Sequence, residues 1–241
     1  MDILTKEPVL SINNKSIPLV HYAFQPIIDI NNNEIYGYEA LMRPEGLSPQ
    51  GFIQKYADNN KAYYIELITF YNALRCFKDF GKKYDIKGKY LFINSMPMIT
   101  LYDSDLNFIL SEFSDIIPFI VLELLEFEST TKHCMAHKQS LREKLNIQLA
   151  IDDYCTGYNS IDTVNDILPN IVKIDASFIH NIDINHTHQN LLKIMLRSIR
   201  DRKIKVIAEG VETKEEYIYI KNNTDIEMIQ GFFFSKPITN Y

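Results

Sequence analysis

The sequence contains little that would support a disulfide framework, a histidine-bound zinc site or a secretion signal. It has three cysteines, an odd number with no CxxC pair, and this pattern favours a reducing compartment. The six histidines include no HExxH motif, so a zinc site of that kind is not expected. Residues 1–16, MDILTKEPVLSINNKS, lack the apolar core of a signal peptide.

Long apolar runs and an excess of positive charge are also missing. No segment approaches the roughly 18 apolar residues of a spanning helix, and even the run Phe119–Leu122 leads directly into Glu123. The formal net charge of −6 argues against sequence-independent binding to DNA or RNA. A small phosphate ligand remains compatible with it, because a bound divalent metal reverses the local field. We therefore expect a cytoplasmic protein with no membrane segment and no nucleic-acid polymer as partner.

The chain has eight glycines and shows no glycine-rich phosphate loop or dinucleotide fingerprint. Its composition, 46% hydrophobic and 23% charged residues, is typical of an ordinary globular core. A length of 241 residues fits one large domain or two small ones, and an α/β barrel of this size is usually a single domain. We expect residues 1–20 to be a short lead-in and residues 21–241 to form a single domain.

Short apolar segments alternate with stretches of helical periodicity along this domain. The predicted strands are Tyr22–Ile28, Ile35–Arg43, Tyr90–Ser95, Phe119–Leu124, Ile147–Ile151, Ile171–Asp175, Lys205–Glu209 and Glu227–Gly231. The predicted helices are Phe52–Asn60, Tyr64–Phe80, Met98–Phe113, His133–Leu145, Ser160–Leu168, Asn190–Arg202 and Lys214–Lys221, the last capped by Thr213. The first two strands read as a hairpin. The pattern predicts an α/β fold, a TIM-like (β/α)8 barrel with one antiparallel strand near the N-terminus.

Polar side chains occupy the ends of the predicted strands. They are Glu39, Asn94, Glu123, Asp152, Asp153, Lys173, Asp175, Glu209 and Gln230. Barrels of this type place their active sites at the C-terminal strand ends, so these side chains should converge. Carboxylate and amide oxygens suit Mg²⁺ or Mn²⁺, and so many carboxylates require compensating cations. Two divalent ions about 3.5–4 Å apart commonly cleave phosphodiesters, which indicates a metal-dependent phosphoester hydrolase.

Each of these residues also has an explanation without chemistry. Asp152 and Asp153 could cap the following helix, and Glu39 could be half of a buried ion pair. In the same way Asn94 could form a turn, Lys173 could be an exposed strand-end lysine, and Glu209 could be a solvated loop residue. Their joint occurrence at successive strand ends favours a site.

Several short motifs occur in one order along residues 22–238. They are Phe24-Gln25-Pro26-Ile27, Glu39-Ala40-Leu41, Asn94, Glu123-Leu124-Leu125-Glu126, Asp152-Asp153-Tyr154, Thr156-Gly157-Tyr158, Lys173-Ile174-Asp175, Ala208-Glu209-Gly210-Val211-Glu212, Gln230-Gly231 and Ser235-Lys236-Pro237. In these motifs the chain resembles the stand-alone members of the bacterial EAL-domain phosphodiesterases, which linearise the second messenger cyclic di-GMP to pGpG.

The resemblance implies a role for each matching residue. One metal would be held by Glu39, Asn94, Glu123 and Asp152, and a second would lie near Asp152, Asp153 and Glu209. Lys173 would orient or activate the attacking water, supported by Asp175, Glu212 and Gln230. Glu126 would hold the DDxxTG loop, and the substrate contacts would be Gln25, Leu41 and Arg43. The implied cofactors are two Mg²⁺ or Mn²⁺ ions, and the implied partners are cyclic di-GMP and a second copy of the chain, bound through the Asp153–Leu168 region.

Two positions depart from the family pattern. Cys155 replaces a usual glycine and Asn159 a usual serine in the loop DDYCTGYNS. If the glycine requires a positive φ, a cysteine strains or shifts the loop. A catalytically silent EAL domain, acting as a cyclic di-GMP receptor or a protein-interaction module, is therefore the alternative. An unrelated metal-dependent barrel hydrolase is a third reading, which explains the carboxylates but not the ordered motifs. With so little chain outside the motifs, we expect regulation by expression, oligomerisation or a separate partner.

Overall fold

The computed structural model describes residues 9–12, 15–57, 62–125, 132–155 and 161–239. Its centre is a closed eight-stranded barrel, preceded by a separate two-stranded hairpin. The hairpin strands are β1 (Val9–Ile12) and β2 (Lys15–Pro18). The barrel strands are β3 (His21–Asp29), β4 (Glu34–Arg43), β5 (Tyr90–Ser95), β6 (Ile120–Leu124), β7 (Gln148–Ile151), β8 (Ile171–Ile174), β9 (Lys205–Ala208) and β10 (Met228–Ile229).

The strands follow the order β10-β3-β4-β5-β6-β7-β8-β9 around the barrel. Strand β3 is antiparallel to both of its neighbours, and the other pairs are parallel. The predicted TIM-like barrel with one antiparallel strand is therefore confirmed. The antiparallel strand arises because β3 and β4 are joined by the short Asn-rich turn at residues 30–33, which can only form a hairpin.

Helices surround the barrel. The described α-helices are α1 (Pro49–Ala57), α2 (Ala62–Phe80), α3 (Asp103–Phe113), α4 (Lys132–Leu145), α5 (Ile161–Ile167), α6 (Ala176–Ile179), α7 (His186–Ile199) and α8 (Lys214–Asn223). Thr213 caps α8 in a capping box with Glu216, as its sequence predicts. In the described part of the chain, no helix has both the length and the apolarity needed to cross a bilayer.

One layer of apolar side chains fills the barrel interior. It consists of Ile27, Phe92, Val121, Ala150, Ile171, Ile207 and Met228. Side chains on one face of a strand recur every second residue. On the parallel strands, the residue two positions after each residue of this layer therefore also faces inward, and lies one layer closer to the C-terminal rim. These positions are Asn94, Glu123, Asp152, Lys173, Glu209 and Gln230. In the antiparallel β3 the equivalent position comes two residues earlier, at Gln25, which pairs in register with Glu39.

The structure contains elements that the sequence did not predict. Residues 9–18 contain the β1–β2 hairpin, whose Ile12 and Ile17 are fully buried, although the sequence reads as a plain lead-in. The division of the chain at residue 20 stays a prediction. A further unpredicted element is the four-residue helix α6, which Asp175 caps by accepting a hydrogen bond from the Ser177 amide at 2.9 Å.

Candidate active site

Lys173 lies at the centre of a ring of carboxylates on the C-terminal rim. Its Nζ is 2.7 Å from Glu209 Oε1, 2.8 Å from Glu123 Oε1 and 3.1 Å from Asp152 Oδ1. A fourth carboxylate, Glu39, lies 3.7 Å away. Lys173 is 1% exposed and Glu123 is fully buried. The sequence-predicted Lys173, Glu39, Glu123, Asp152 and Glu209 are therefore brought together, and Lys173 is not the exposed strand-end lysine of the alternative reading.

The pKa values in the ring report an excess of negative charge. Burial raises the pKa of Glu123 well above its usual range, and burial raises the pKa of Glu209 to about 8, each against the lowering effect of Lys173. Burial alone would lower the pKa of Lys173, but Asp152, Glu123, Glu209 and Glu39 together raise it well above its ordinary value. Lys173 is thus an ammonium ion, and Glu123 and Glu209 bind protons more tightly than ordinary carboxyl groups.

The donor set fits divalent cations. Carboxylate oxygens of Asp152, Asp153 and Glu209 lie within 4.8 Å of one another, and a shared hard cation requires such spacing. Glu123 Oε2 is buried and accepts no hydrogen bond from the described residues. Asn94 is the register partner of Glu123 on the neighbouring strand. A buried carboxylate oxygen without a donor is costly unless a cation binds it, so the ring has the composition of a magnesium or manganese site.

Gln230 and the loop after Glu209 close the other side of the ring. Gln230 Nε2 donates to Glu39 Oε2 at 2.6 Å, which orients that carboxylate. Gly210 has φ +65, and a Cβ there would lie 2.3 Å from the Ala176 Cβ, so a glycine is required directly after Glu209. Glu216 then accepts hydrogen bonds from the backbone amides of Asn181, Glu212 and Thr213 at 2.8, 2.9 and 3.1 Å. These bonds hold the Glu209 loop against α6.

Two predicted supporting residues take different places. Glu212 is exposed and lines a cleft of about 230 Å³ with Gln25, Glu39, Glu209 and Gln230. His180 lines the same cleft, and sequence reasoning did not single it out. Asp175 accepts the α6 cap hydrogen bond described above. Catalytic roles for Asp175 and Glu212 stay predictions.

The predicted substrate contacts divide between two cavities. Gln25 lies in the cleft beside Glu39 and donates from Nε2 to the Ser235 carbonyl at 3.2 Å. Leu41 and Arg43 line a mostly apolar cavity of about 240 Å³ that also reaches Asn94. The Arg43 guanidinium donates to the Met42 carbonyl at 2.9 Å. The cleft with Gln25 is lined by Glu39 and Glu209 of the carboxylate ring, whereas the cavity with Arg43 reaches the site at Asn94.

The loop after β7 contains two left-handed residues. Asp153 has φ 50 and Cys155 has φ 67, a region that costs residues with a Cβ about 1–2 kcal/mol. The conformation expected for a glycine at position 155 is therefore present with a cysteine in it. Cys155 is an exposed residue, and partial burial of its thiol raises the pKa of Cys155, which disfavours the thiolate. Glu126, Asn159 and the stretch 156–160 lie outside the described residues.

Comparison with known proteins gives this arrangement a family. The model of the EAL domain matches residues 13–237. The chain belongs to the EAL domain family. It is 30% identical to a protein named probable cyclic di-GMP phosphodiesterase PdeG from Escherichia coli K12, over 98% of this chain and 48% of that protein. The chain thus spans about half the length of this curated relative.

Solved EAL structures share the whole barrel. A standalone versatile EAL protein from Vibrio cholerae O395, in its c-di-GMP bound form, is 27% identical with a TM-score of 0.75, covering 90% of this chain and 92% of that one. Klebsiella pneumoniae BlrP1, in a manganese and cyclic di-GMP complex, is 26% identical with a TM-score of 0.79, covering 97% of this chain and 59% of that one. Both relatives carry the nucleotide, and one carries a divalent metal.

Proposed function

We propose that the chain is a divalent-metal-dependent phosphodiesterase that hydrolyses cyclic di-GMP to linear pGpG. The observation that carries the proposal is the ring of four carboxylates around Lys173, with the oxygens of Asp153 beside it. Family members described above were solved with cyclic di-GMP, and one of them with manganese. All six proposed metal ligands, Glu39, Asn94, Glu123, Asp152, Asp153 and Glu209, are present in this chain.

The chain's own groups would divide the work as follows. Mg²⁺ or Mn²⁺ ions held by these oxygens, two by our proposal, supply Lewis acidity to the phosphoryl oxygens and lower the pKa of bound water. Lys173, whose Nζ lies at the centre of the carboxylate ring, would orient or activate the attacking water. Gln230 keeps Glu39 in one orientation. Arg43 provides a cation for a phosphate or a guanine edge.

The test is turnover of cyclic di-GMP by the purified protein with Mg²⁺ or Mn²⁺, followed by chromatography. We expect pGpG as product and a loss of about 10²-fold or more in Glu39→Ala, because a ligand of the proposed metal is removed. Glu34→Ala is the matched control, since Glu34 is an exposed glutamate at the other end of the same strand. Its turnover should equal that of the unchanged protein.

The receptor is the second candidate, and the left-handed Cys155 is the observation that favours it. Tight binding of cyclic di-GMP without turnover, with either metal, would refute the enzyme and establish this alternative. A homodimer formed through the Asp153–Leu168 region is also proposed, and the exposed Leu168 (58%) is compatible with it. A cytoplasmic location and the lack of a nucleic-acid polymer partner stay predictions from the sequence.

A further inference from the structure

We infer that Glu66 and Lys138 form a positioning pair that fixes Asn94, and thereby sets the affinity of the site for divalent cations. The inference rests on the proposed function, because it takes Asn94 as a metal ligand. Neither residue belongs to the carboxylate ring. Glu66 lies on α2 and Lys138 on α4, on the outer side of the barrel wall from Lys173.

The pair holds the end of β5 through hydrogen bonds to two adjacent residues, Ser95 and Met96. Glu66 Oε1 accepts a hydrogen bond from Ser95 Oγ at 2.6 Å, and Glu66 Oε2 accepts one from the Met96 amide at 2.9 Å. Lys138 Nζ donates to Glu66 Oε1 at 2.9 Å and to Ser95 Oγ at 2.8 Å. Both oxygens of one carboxylate are thus used on the two residues that follow Asn94.

This contact determines where Asn94 points. Neighbouring residues of a strand face opposite sides, so holding Ser95 outward holds Asn94 inward, beside its register partner Glu123. The Ser95 carbonyl also accepts a hydrogen bond from the Leu125 amide at 3.2 Å, which fastens the end of β5 to the end of β6. A shift of Ser95 would therefore move Asn94 relative to Glu123.

Stability alone does not explain a charged pair at this place. Glu66 is 5% exposed and Lys138 is 2% exposed, and ion pairs so deeply buried are often replaced by apolar residues without loss of stability. A fully hydrogen-bonded buried network instead imposes a unique geometry. Outer residues that orient metal ligands commonly change metal affinity by about 10–100-fold when they are mutated.

The test compares Mn²⁺ binding, measured by calorimetry, with thermal unfolding in EDTA and with cyclic di-GMP kinetics. In Glu66→Gln/Lys138→Met both charges are removed and the side-chain volumes are nearly kept. We expect the Kd for Mn²⁺ to rise about tenfold or more, with kcat reduced at subsaturating metal. Ser95→Ala removes the hydroxyl alone, and should raise the Kd several-fold in a protein that keeps the ion pair.

Lys15→Met is the matched control. Lys15 pairs with the buried Asp105 at 2.5 Å and lies over the rings of Tyr63 and Tyr102, so its removal should lower the melting temperature and leave the Kd for Mn²⁺ unchanged. The inference is overturned if both site variants bind Mn²⁺ like the unchanged protein, or if Lys15→Met weakens binding equally. If the unchanged protein neither binds Mn²⁺ nor cleaves cyclic di-GMP, the proposed function is refuted, and the inference that rests on it is refuted as well.

Discussion

Removing the Lys173 ammonium should destabilise the metal-free protein strongly, and Mn²⁺ should reverse most of the loss. In Lys173→Met, the ammonium that lies within 3.7 Å of Glu123, Glu209, Asp152 and Glu39 is lost. Breaking a buried pair from one side costs roughly 3–5 kcal/mol. In a chain of this size each kcal/mol changes the melting temperature by about 2–4 °C. The expected decrease is therefore about 6–20 °C in EDTA.

The size of this decrease should depend on pH, and the sign follows from the carboxyl groups. The pKa of Glu209 is raised from 4.5 to about 8 and that of Glu123 is raised well above 4.5, so both bind protons more tightly when folded. Such groups contribute stability below pH 4.5 and lose it as the pH rises through 8. Without Lys173 both pKa values rise further. The melting temperature of the variant should therefore lie further below that of the unchanged protein at pH 8.5 than at pH 6.

The assay is thermal unfolding at the two pH values, each with EDTA and with saturating Mn²⁺. Lys144→Met is the control, because Lys144 forms an exposed pair with Asp103 and exposed pairs contribute at most about 1 kcal/mol. Two results would show that Lys173 is not the compensating charge of the ring. One is a melting temperature in EDTA equal to that of this control, and the other is an equal decrease in melting temperature at both pH values.

Two further predictions concern the loop and the metal. In urea unfolding, Cys155→Gly should be more stable than Cys155→Ala by about 0.5–1 kcal/mol, because glycine adopts φ 67 without a Cβ clash. Cys155→Gly should also keep or raise the turnover of cyclic di-GMP. A large loss of turnover would count against strain in the loop. The affinity for Mn²⁺ should rise between pH 6 and 8, because the pKa values of Glu209 and Glu123 are both raised and metal binding displaces protons from these carboxyl groups. Each displaced proton contributes up to about tenfold per pH unit. Calorimetry that shows a flat profile would contradict this.

The sequence predicted the barrel because the strands are short, apolar and separated by helical periodicity. It also predicted which residues meet, since the inward face of each strand changes from an apolar to a polar residue at the rim. Phe92 precedes Asn94 and Ile171 precedes Lys173 by two positions, and the structure places the first of each pair in the interior layer. These residues were identified from the sequence at the strand ends, and the two-residue period explains why the structure turns their side chains inward.

The parts that were not predicted depend on contacts between distant segments. Glu66 lies within a helix whose neighbours are apolar, and a single glutamate there does not reveal that Ser95, 29 residues later, and Lys138, 72 residues later, are its partners. The β1–β2 hairpin was missed for a similar reason. Its strands are four residues each, too short for a clear alternation, and burial of Ile12 and Ile17 in the main hydrophobic cluster gives them their stability.

The loop after β7 combines left-handed residues with a buried tyrosine that is hydrogen-bonded to neighbouring elements. Asp153 and Cys155 are both left-handed, and Tyr154 between them offsets their cost. Tyr154 is 1% exposed, its amide donates to the Lys173 carbonyl at 2.9 Å, and its hydroxyl pairs with Ser198 Oγ at 2.7 Å. The strained turn is thus tied to the backbone of the residue whose ammonium contacts Asp152. A change at position 155 therefore reaches Lys173 through the amide of Tyr154, its neighbour in the chain.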